Sequence, residues 1–516
     1  MKKLRGLFRI IFGRTTFLVL FLLMQVATLF YIFNWLKEYT AFIFGGFTVF
    51  SALILIYIIS ADESSNIKLS WVVPILVVPV FGAMFYLFVK FQIGTKLING
   101  RYQSLEKGID PFLIQDTKVL GDLDEDDFGQ GNLARYMKQF GKFPTYDHTN
   151  IKYLPLGEDM FEEMKTQLRQ AKHFIFMEFF IVERGFMWNS ILDILEEKAK
   201  EGVEVRFMYD GMCCLILLPY SYPKVLQAKG IKCKMFSPIK PALSSHQNNR
   251  DHRKICVIDG HTAFTGGVNL ADEYINKKQR FGHWKDTAIM VKGDAVTSFT
   301  MMFLQMWGIT EPESEDYSRY LRPAEYQYPA DLDMNGFVMP YGDSPLDKEN
   351  VGEQVYLDIL GQAKQYVHIM TPYLILDDEL VSALKYAPKR GVETVIIMPH
   401  IPDKLYAYLL ARSYYEELLA AGVKIYEYTP GFIHAKMFTC DDEKAVVGTI
   451  NLDYRSLYLH FECAAYMYKN AAIHDIESDF QKTLLKCQEI TPASCKKYPY
   501  IKQFAGKALR LFAPLM

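Results

Sequence analysis

Zinc-binding patterns of cysteine and histidine are missing from this chain of 516 residues. Its eight cysteines form no C-x-x-C pair, and none is spaced from a histidine as in a zinc site. Glycine and proline, at 32 and 22 residues, are too few for a collagen-like or a Pro/Gly-rich disordered chain. We therefore expect no structural metal and no cofactor, and the hydrophobic content of 50% indicates folded domains.

The chain also lacks a basic excess, since it has 57 Lys and Arg against 59 Asp and Glu. The first 100 residues carry nine basic and three acidic residues, so the remaining 416 have a net charge of −8. Proteins that bind nucleic acid rely on clustered Lys and Arg to replace the counterions around the phosphates. The composition therefore argues against a nucleic-acid partner.

Three apolar stretches near the N-terminus contain no charged residue: Phe17–Phe33, Ala41–Ser60 and Leu69–Val89. A helix that crosses a bilayer needs roughly 20 residues. The second and third stretches reach that length and the first is close to it, so we predict two or three transmembrane helices in residues 1–90 and a multi-pass membrane protein. A cleaved signal peptide is the alternative for the first stretch, but no A-x-A-like cleavage site follows it.

Two further segments are interpreted from their composition. Residues 91–150 are predicted to be a linker, because the acidic cluster Asp122–Asp127 lacks the ligand spacing of a calcium loop. Residues 496–516 mix Lys and Arg with Phe and Leu. This pattern is typical of an amphipathic tail, which either lies on anionic lipid or packs on the body of the protein.

From about residue 150 the chain repeats itself. Ala171–Glu178 is matched by Ala363–Met370 at an offset of 192, and Gly202-Val203 by Gly391-Val392 at an offset of 189. In each copy a helical pattern leads into an apolar strand, which is typical of crossover connections in parallel sheets. We predict an α/β fold of two similar halves, residues 151–330 and 331–495, each a mainly parallel or mixed sheet flanked by helices.

The repeat extends to a pattern of polar residues. In each half a Lys lies two residues after a His, an Asp five residues after the Lys, and a Gly and an Asn seven and ten residues after the Asp. The residues are His252, Lys254, Asp259, Gly266, Gly267 and Asn269 in the first half, and His434, Lys436, Asp441, Gly448 and Asn451 in the second. One such pattern is commonly a strand with an ordinary buried His, but two copies with equal spacing indicate a shared function.

The residue types suit a phosphodiester. Residues two apart on a strand project from the same face, so each His shares a surface with its Lys. If the two strands meet, lysines and asparagines can hold the phosphate oxygens while one imidazole attacks phosphorus and the other protonates the leaving alkoxide. Glycine beside the phosphate permits close approach of the backbone.

The twin motifs resemble those of the phospholipase D superfamily, and the resemblance covers roughly residues 150–495. It implies a phosphohistidine intermediate, with His252 as nucleophile and His434 as general acid and base, although the symmetry of the sequence also allows the reverse. It further implies phosphate binding by the lysines, asparagines and glycines of both motifs. Asp259 and Asp441 belong to the catalytic motifs, and we expect them mainly to hold the loops behind the site.

Each imidazole also needs a carboxylate at its far nitrogen, to fix the tautomer and stabilise the imidazolium. Candidates are Asp286, 34 residues after His252, and Glu462, 28 residues after His434. Glu178 lies on an apolar strand, where a charge is costly. It is interpreted as either a pocket residue or a member of a buried ion pair.

Within the superfamily the chain is similar to the bacterial cardiolipin synthases, notably in Asn249–Lys254, Trp284–Asp286 and Asn451–Leu457. The resemblance implies transfer of a phosphatidyl group from one phosphatidylglycerol to another with release of glycerol, at the bacterial cell membrane. Hydrolysis of phospholipids to phosphatidic acid is the alternative, and a membrane protein that keeps the fold without turnover is a third hypothesis. Phospholipids are the expected partners, and the sequence leaves the oligomeric state open.

Overall fold

The computed structural model describes residues 20, 23–28, 30–31, 40–90, 93–237, 249–311, 315–347 and 349–515. The described residues divide into two compact units. The first holds the residues up to Lys96 and those from Arg510 onward, and the second holds those from Leu97 to Leu509. The first unit contains the helices α1 (Thr40–Ser60), α2 (Ser65–Val77) and α3 (Pro79–Lys90). Its buried core comprises Ile58, Trp71, Ile75, Ala83 and Tyr86.

The prediction of transmembrane helices is wrong for the residues that the structure describes, because none of their helices combines the length and the apolar character needed to span a bilayer. The stretch Leu69–Val89 is divided into helices of 13 and 12 residues. Val78 leaves the helical conformation because the ring of Pro79 disfavours it in the preceding residue. Ala41–Ser60 lies in α1, whose described side chains begin at residue 45, and eight of the 17 residues of Phe17–Phe33 lie outside the described residues. The multi-pass arrangement predicted from these stretches therefore has no support in the described helices.

The segment predicted to be a linker, residues 91–150, is largely helical where it is described. It forms α4 (Ile93–Ile109), α5 (Thr117–Asp126) and α6 (Phe128–Gln139). Leu123 and Leu133 of these helices are buried. Asp127 of the acidic cluster caps α6, since its Oδ1 accepts a hydrogen bond from the N–H of Gly129 at 2.8 Å. Apolar residues at helical spacing thus turn an acidic run into packed helices.

The first half is built on a mixed sheet of seven strands. Its elements are β1 (Thr149–Leu154), α7 (Gly157–Gln170), β2 (Phe174–Phe179), α8 (Phe186–Lys200), β3 (Glu204–Asp210), α9 (Tyr222–Gln227), β4 (Lys232–Phe236), β5 (Arg250–Asp251), β6 (Lys254–Ile258), β7 (Thr262–Gly266), β8 (His283–Lys285), β9 (Ala288–Gly293) and α10 (Val296–Gly308). The spatial order is β1-β9-β7-β6-β2-β3-β4. β2, β3 and β4 are parallel because helices connect them, whereas the remaining neighbours pair antiparallel.

The second half repeats this order and adds a strand. Its elements are β10 (Phe337–Asp343), α11 (Val351–Gln362), β11 (Tyr366–Met370), β12 (Leu374–Ile375), α12 (Asp378–Lys389), β13 (Glu393–Pro399), α13 (Leu405–Ala421), β14 (Lys424–Tyr428), β15 (Gly431–Ile433), β16 (Met437–Cys440), β17 (Lys444–Gly448), β18 (Leu452–Asp453), α14 (Tyr454–Tyr458), β19 (His460–Tyr468), α15 (Ala472–Leu484), β20 (Cys487–Ile490), α16 (Pro492–Lys497) and α17 (Tyr500–Arg510). The main sheet runs β10-β19-β17-β16-β11-β13-β14-β20. The predicted α/β fold with two similar halves is confirmed.

The two sheets share one core. Helix α10 is almost wholly buried and packs on β2, β6, β7 and β9 of the first half and on β10 of the second. The same core contains Ile255 and Val257 of β6 together with Ala445 and Val447 of β17. Strands that follow the motif histidines in both halves therefore contribute to one core, as a shared site requires.

The predicted amphipathic tail contains α17. Its Gly506 packs against the carbonyl group of Leu409 on α13. The ring of Tyr498, just before α17, lies 4.3 Å from the guanidinium carbon of Arg412. Of the two alternatives for this segment, the structure has the helix packed on the second half, with Tyr500, Ile501 and Phe504 exposed.

Candidate active site

Each motif histidine follows a short strand that pairs with the other half. β5 precedes His252 and pairs in parallel with the start of β19, where the N–H of His252 donates to the carbonyl of Phe461 at 2.9 Å. β15 precedes His434 and pairs in parallel with β8, where the N–H of His434 donates to the carbonyl of Lys285 at 2.7 Å. These reciprocal pairings bring each motif to the segment that carries the candidate carboxylate of the other half.

The imidazoles are hydrogen-bonded to these carboxylates. Nδ1 of His252 lies 2.8 and 2.9 Å from the two carboxylate oxygens of Glu462. Nδ1 of His434 lies 2.6 Å from Oδ2 of Asp286. In the sequence, Asp286 follows His252 and Glu462 follows His434. In the fold each imidazole instead contacts the carboxylate of the other half, because the strand before each His pairs with a strand of the other half. All four side chains are buried.

Glu462 is held by hydroxyl groups that the sequence analysis does not identify. Its Oε1 accepts a hydrogen bond from Ser456 and its Oε2 one from Thr449. Burial raises the pKa of Glu462 to about 8, although nearby Lys254 and the two hydroxyls act in the opposite direction. The hydroxyls therefore favour the ionised carboxylate that His252 needs.

Asp286 is held differently. It accepts hydrogen bonds from the N–H of Thr287 at 2.9 Å and from the indole of Trp284 at 3.4 Å. A Cβ added to Gly267 would lie 2.0 Å from its Oδ1, so glycine makes room for the carboxylate. Thr449 takes the equivalent place in the second motif. At this position of the repeat, Gly267 leaves space for the carboxylate of Asp286, whereas Thr449 donates a hydrogen bond to the carboxylate of Glu462.

Both motif lysines are buried and donate to the carbonyl oxygen of their own histidine. Nζ of Lys254 lies 2.6 Å from the carbonyl of His252, and Nζ of Lys436 also lies 3.0 Å from Nδ1 of His434. Burial lowers the pKa of Lys254 to about 8 and that of Lys436 to about 7. An anion between the lysines would offset this cost of burial and favour their charged forms.

The imidazoles are neutral in the protein alone. Burial lowers the pKa of His252 far below its usual 6.5, and lowers that of His434 to about 4. The charges of Lys254 and Lys436, one lysine from each motif, lower the pKa of His252 further. Groups from both motifs therefore act electrostatically on one ring, in a single buried cluster.

Asp259 and Asp441 contact the backbone behind the site. The carboxylate of Asp259 accepts hydrogen bonds from the N–H groups of residues 172–174 at 2.7 to 2.8 Å. Asp441 does the same for residues 364–366, at the same distances. These contacts tie the turn after each motif strand to the loop that enters the neighbouring strand, β2 or β11.

The asparagines of the two motifs differ in their hydrogen bonds, whereas their glycines pack in similar ways. The side chain of Asn269 accepts from the N–H of Ile181 at 3.0 Å and donates to the hydroxyl of Tyr274 at 2.9 Å, so it fixes a loop. Oδ1 of Asn451 is buried and has no hydrogen-bond partner in the part of the chain that the structure describes. Gly266 and Gly448 pack closely against β9 and β19.

His460 and Phe180 adjoin the site although sequence reasoning gave neither a role. Their ring centroids lie 5.6 and 4.6 Å from that of His252. The side chain of His460 is 9% exposed, and neither ring nitrogen has a hydrogen-bond partner among the described residues. Its place two residues before Glu462, on the same face of a strand, is the signal that would have found it. The rings beside His434 are those of Tyr274 and Trp284.

Ligand atoms of His252, His460 and Glu462 lie within 4.8 Å of one another, as a metal site would require. The charge of Lys254, which acts on both histidines, opposes a cation at this place. We therefore assign no metal to these residues.

Glu178 belongs to a buried polar cluster under the motif strand. Burial and the neighbouring carboxylate of Asp251 raise its pKa far above the usual value, while Arg253 acts in the opposite direction. Arg253 is fully buried and its side chain also donates to the carbonyl of Glu462 at 3.1 Å. Neither carboxylate oxygen of Glu178 has a hydrogen-bond partner among the described residues, so the buried ion pair is not observed there and the pocket role stays a prediction.

Sequence comparison identifies the family of this arrangement. The family described as cardiolipin synthase, PLD-like domain, matches residues 164–307 and 356–484, which contain both motifs. A second family, described as phospholipase D-nuclease N-terminal, matches residues 49–90.

Individual relatives match nearly the whole chain. A cardiolipin synthase of Alkalihalophilus pseudofirmus is 33% identical over 94% of this chain and 95% of its own length. A cardiolipin synthase of Geobacillus sp. (strain WCH70) is 31% identical over 98% of this chain and its full length. An uncharacterised protein of Streptococcus mutans is 49% identical over 90% of this chain. The crystal structure of a phosphatidylserine synthase from Haemophilus influenzae covers 75% of this chain and all of its own, with a TM-score of 0.56 at 14% identity, and so shares the fold.

Proposed function

The chain belongs to the cardiolipin synthases with phospholipase D-like domains, and on that premise we propose that it joins two phosphatidylglycerol molecules into cardiolipin and releases glycerol. The observation that carries the proposal is the pair of imidazoles from two halves, each bonded to a buried carboxylate of the other half. Such a pair supplies one nucleophile and one proton carrier for displacement at phosphorus.

In the first step, Nε2 of His252 attacks the phosphorus of one phosphatidylglycerol. Nδ1–H of His252 donates to Glu462, which leaves the lone pair on Nε2. As the phosphorus–nitrogen bond forms, the bond to the glycerol oxygen breaks, and His434 gives its Nε2 proton to that oxygen. The bound phosphate favours the imidazolium at His434 because it offsets the lysine charges, and Asp286 stabilises it. Glycerol leaves.

In the second step, the terminal hydroxyl of another phosphatidylglycerol gives its proton to Nε2 of His434. Its oxygen attacks phosphorus, the phosphorus–nitrogen bond breaks, and His252 is regenerated. Lys254 and Lys436 donate hydrogen bonds to the two non-bridging oxygens in both steps. The negative phosphate favours the charged form of these lysines. Asn451, whose buried side-chain oxygen lacks a partner in the described residues, supplies an amide beside the same phosphate.

Hydrolysis to phosphatidic acid needs only that water replaces the second alcohol. Aromatic rings flank both histidines: half-buried Phe180 lies beside His252, and buried Trp284 lies beside His434. Such rings hinder water at the intermediate more than they hinder a lipid hydroxyl held in place. We therefore favour transfer over hydrolysis, and place the protein at the bacterial membrane that contains both its lipid substrates.

The test is turnover by the purified full chain in vesicles of phosphatidylglycerol alone, with products identified by mass spectrometry. We expect cardiolipin and glycerol in equal amounts. Phosphatidic acid as the main product would support the hydrolase instead. Absence of any turnover, with the His252→Ala variant indistinguishable from the parent, would support a binding protein without catalysis.

A further inference from the structure

Two loops at corresponding places in the two halves expose apolar side chains. The first joins β3 to α9, and residues 211–221 of it contain no charged residue. Ile216 is 68% exposed and Leu215 is 42% exposed. The second joins β13 to α13 and reaches the first turn of that helix, where Leu405 is 61% exposed. Because β3 and β13 are equivalent in the two parallel sets, both loops leave the carboxyl edge of their sheet.

The first loop is attached to the surroundings of His252. Sγ of Cys214 accepts from the N–H of Val182 at 3.3 Å and contacts the carbonyl of Phe180 at 3.6 Å. The ring of Phe180 in turn lies 4.6 Å from that of His252. At the foot of the loop, Asp210 lies 3.8 Å from Arg250, two residues before His252. The exposed apolar residues therefore belong to a loop that contacts the segments beside His252.

The second loop is attached to the approach to His434. The N–H of Ile401 donates to the carbonyl of Gly431, the first residue of β15, at 3.3 Å. Lys404, with half of its side chain exposed, has its Nζ 4.0 Å from a carboxylate oxygen of Asp403, and its charge lowers the pKa of His460. An apolar tip with a cation at its base matches a phospholipid, whose acyl chains and phosphate are arranged in the same order.

We propose that these two loops are a bilayer-docking rim, which inserts Leu215, Ile216 and Leu405 among the acyl chains around the entrance to the site. The proposal rests on the phospholipid substrates of the proposed function. It explains how phosphate reaches a buried cluster while the acyl chains stay in an apolar phase.

Tryptophan placed at the tips tests the insertion directly. Ile216→Trp and Leu405→Trp variants of the full chain are mixed with phosphatidylglycerol vesicles that contain brominated acyl chains. We expect the fluorescence that each variant adds to the parent signal to be quenched at least twofold. Phe128→Trp is the matched control, since Phe128 is 66% exposed and its neighbour Gly129 packs on Gln362, toward the amino edge of β11. Quenching equal to that of the control would overturn the proposal.

Aspartate at the same positions gives a second readout. We expect Ile216→Asp/Leu405→Asp to lose about tenfold of the turnover of vesicle phosphatidylglycerol, while turnover of the water-soluble dihexanoyl lipid stays within twofold of the parent and of Phe128→Asp. Equal losses on both substrates, or no loss on either, would contradict the rim. Failure of the parent to turn over either lipid would instead contradict the proposed function, which separates the two ideas.

Discussion

The surroundings of His252 and His434 differ although the repeat relates them. His252 is bonded to a glutamate that accepts two hydroxyl groups and lies beside a third imidazole, whereas His434 is bonded to an aspartate held by a backbone N–H and an indole. The lysine of the second motif also contacts the ring of its own His, at 3.0 Å. A duplicated framework has thus acquired two chemically distinct imidazoles, which is what a nucleophile and a proton carrier require.

Removing either imidazole has the largest expected effect. We expect His252→Ala and His434→Ala each to lower the transfer rate about 10⁴-fold, since groups that act as a unit fail together. A lipid whose leaving group is p-nitrophenolate needs no proton from the enzyme, so a burst of p-nitrophenol and a trapped lipid adduct should survive in His434→Ala and vanish in His252→Ala. The reverse pattern would exchange the two roles.

The exchanged carboxylates come next. Glu462→Gln and Asp286→Asn should each lower the rate about 10³-fold, because an amide favours the wrong tautomer of the ring that it contacts. The p-nitrophenyl lipid should restore the first step of Asp286→Asn, which impairs only proton transfer, and leave Glu462→Gln slow. Restoration of Glu462→Gln alone would mean that each carboxylate serves the His of its own half.

The hydroxyl group on Thr449 should have a moderate, pH-dependent effect. Thr449→Val removes a donor that lowers the pKa of Glu462, so this pKa rises above about 8 and less carboxylate is ionised at neutral pH. We expect the first step to slow about fivefold at pH 7 and to recover at higher pH. Thr449→Ser keeps the hydroxyl and should follow the parent profile. A loss in Thr449→Val that does not change with pH would exclude this role.

The smallest effect on activity is expected for the two Asp residues behind the site, which should act mainly on stability and to a similar extent in both halves. Each accepts three backbone N–H groups, so Asp259→Asn and Asp441→Asn should each lower the free energy of unfolding by about 1–3 kcal/mol. For Asp441, burial raises the pKa but the backbone donors prevail and hold it below 3.8. Its contribution is therefore full above the unfolded pKa and is lost as the pH falls, which urea titrations at several pH values can measure. A large loss of activity at unchanged stability would instead give these residues a part in catalysis.

The fold was predictable where the repeat is visible in the sequence. Equal spacing of His, Lys, Asp and Asn in two copies identified the halves and their motif strands. The prediction of transmembrane helices from the apolar stretches was wrong, because it used only their length. It did not consider that Pro79 disfavours the helical conformation at Val78 and so divides one stretch into two helices. The average composition of the acidic run at residues 122–127 did not predict the helices found there, because a few buried leucines stabilise them.

The site was predictable in its residue types and not in its pairing. Both carboxylates that contact the imidazoles were among the predicted residues, but distance along the chain could not reveal that β5 pairs with β19 and β8 with β15, so that each imidazole is bonded to the other half. The donor role of Thr449 could not be predicted, because it depends on a carboxylate 13 residues away. The place of His460 two residues before Glu462 was a usable sequence signal, whereas its lack of hydrogen-bond partners within the described residues depends on the fold.

In the proposed reaction the two imidazoles act on one phosphorus atom from opposite sides. A crystal structure of the full chain with orthovanadate tests it most directly. We predict vanadium bonded to Nε2 of His252, with Nε2 of His434 about 3 Å from the opposite apical oxygen. Vanadate held by one ring, with the other out of hydrogen-bond reach of every vanadate oxygen, would contradict the account.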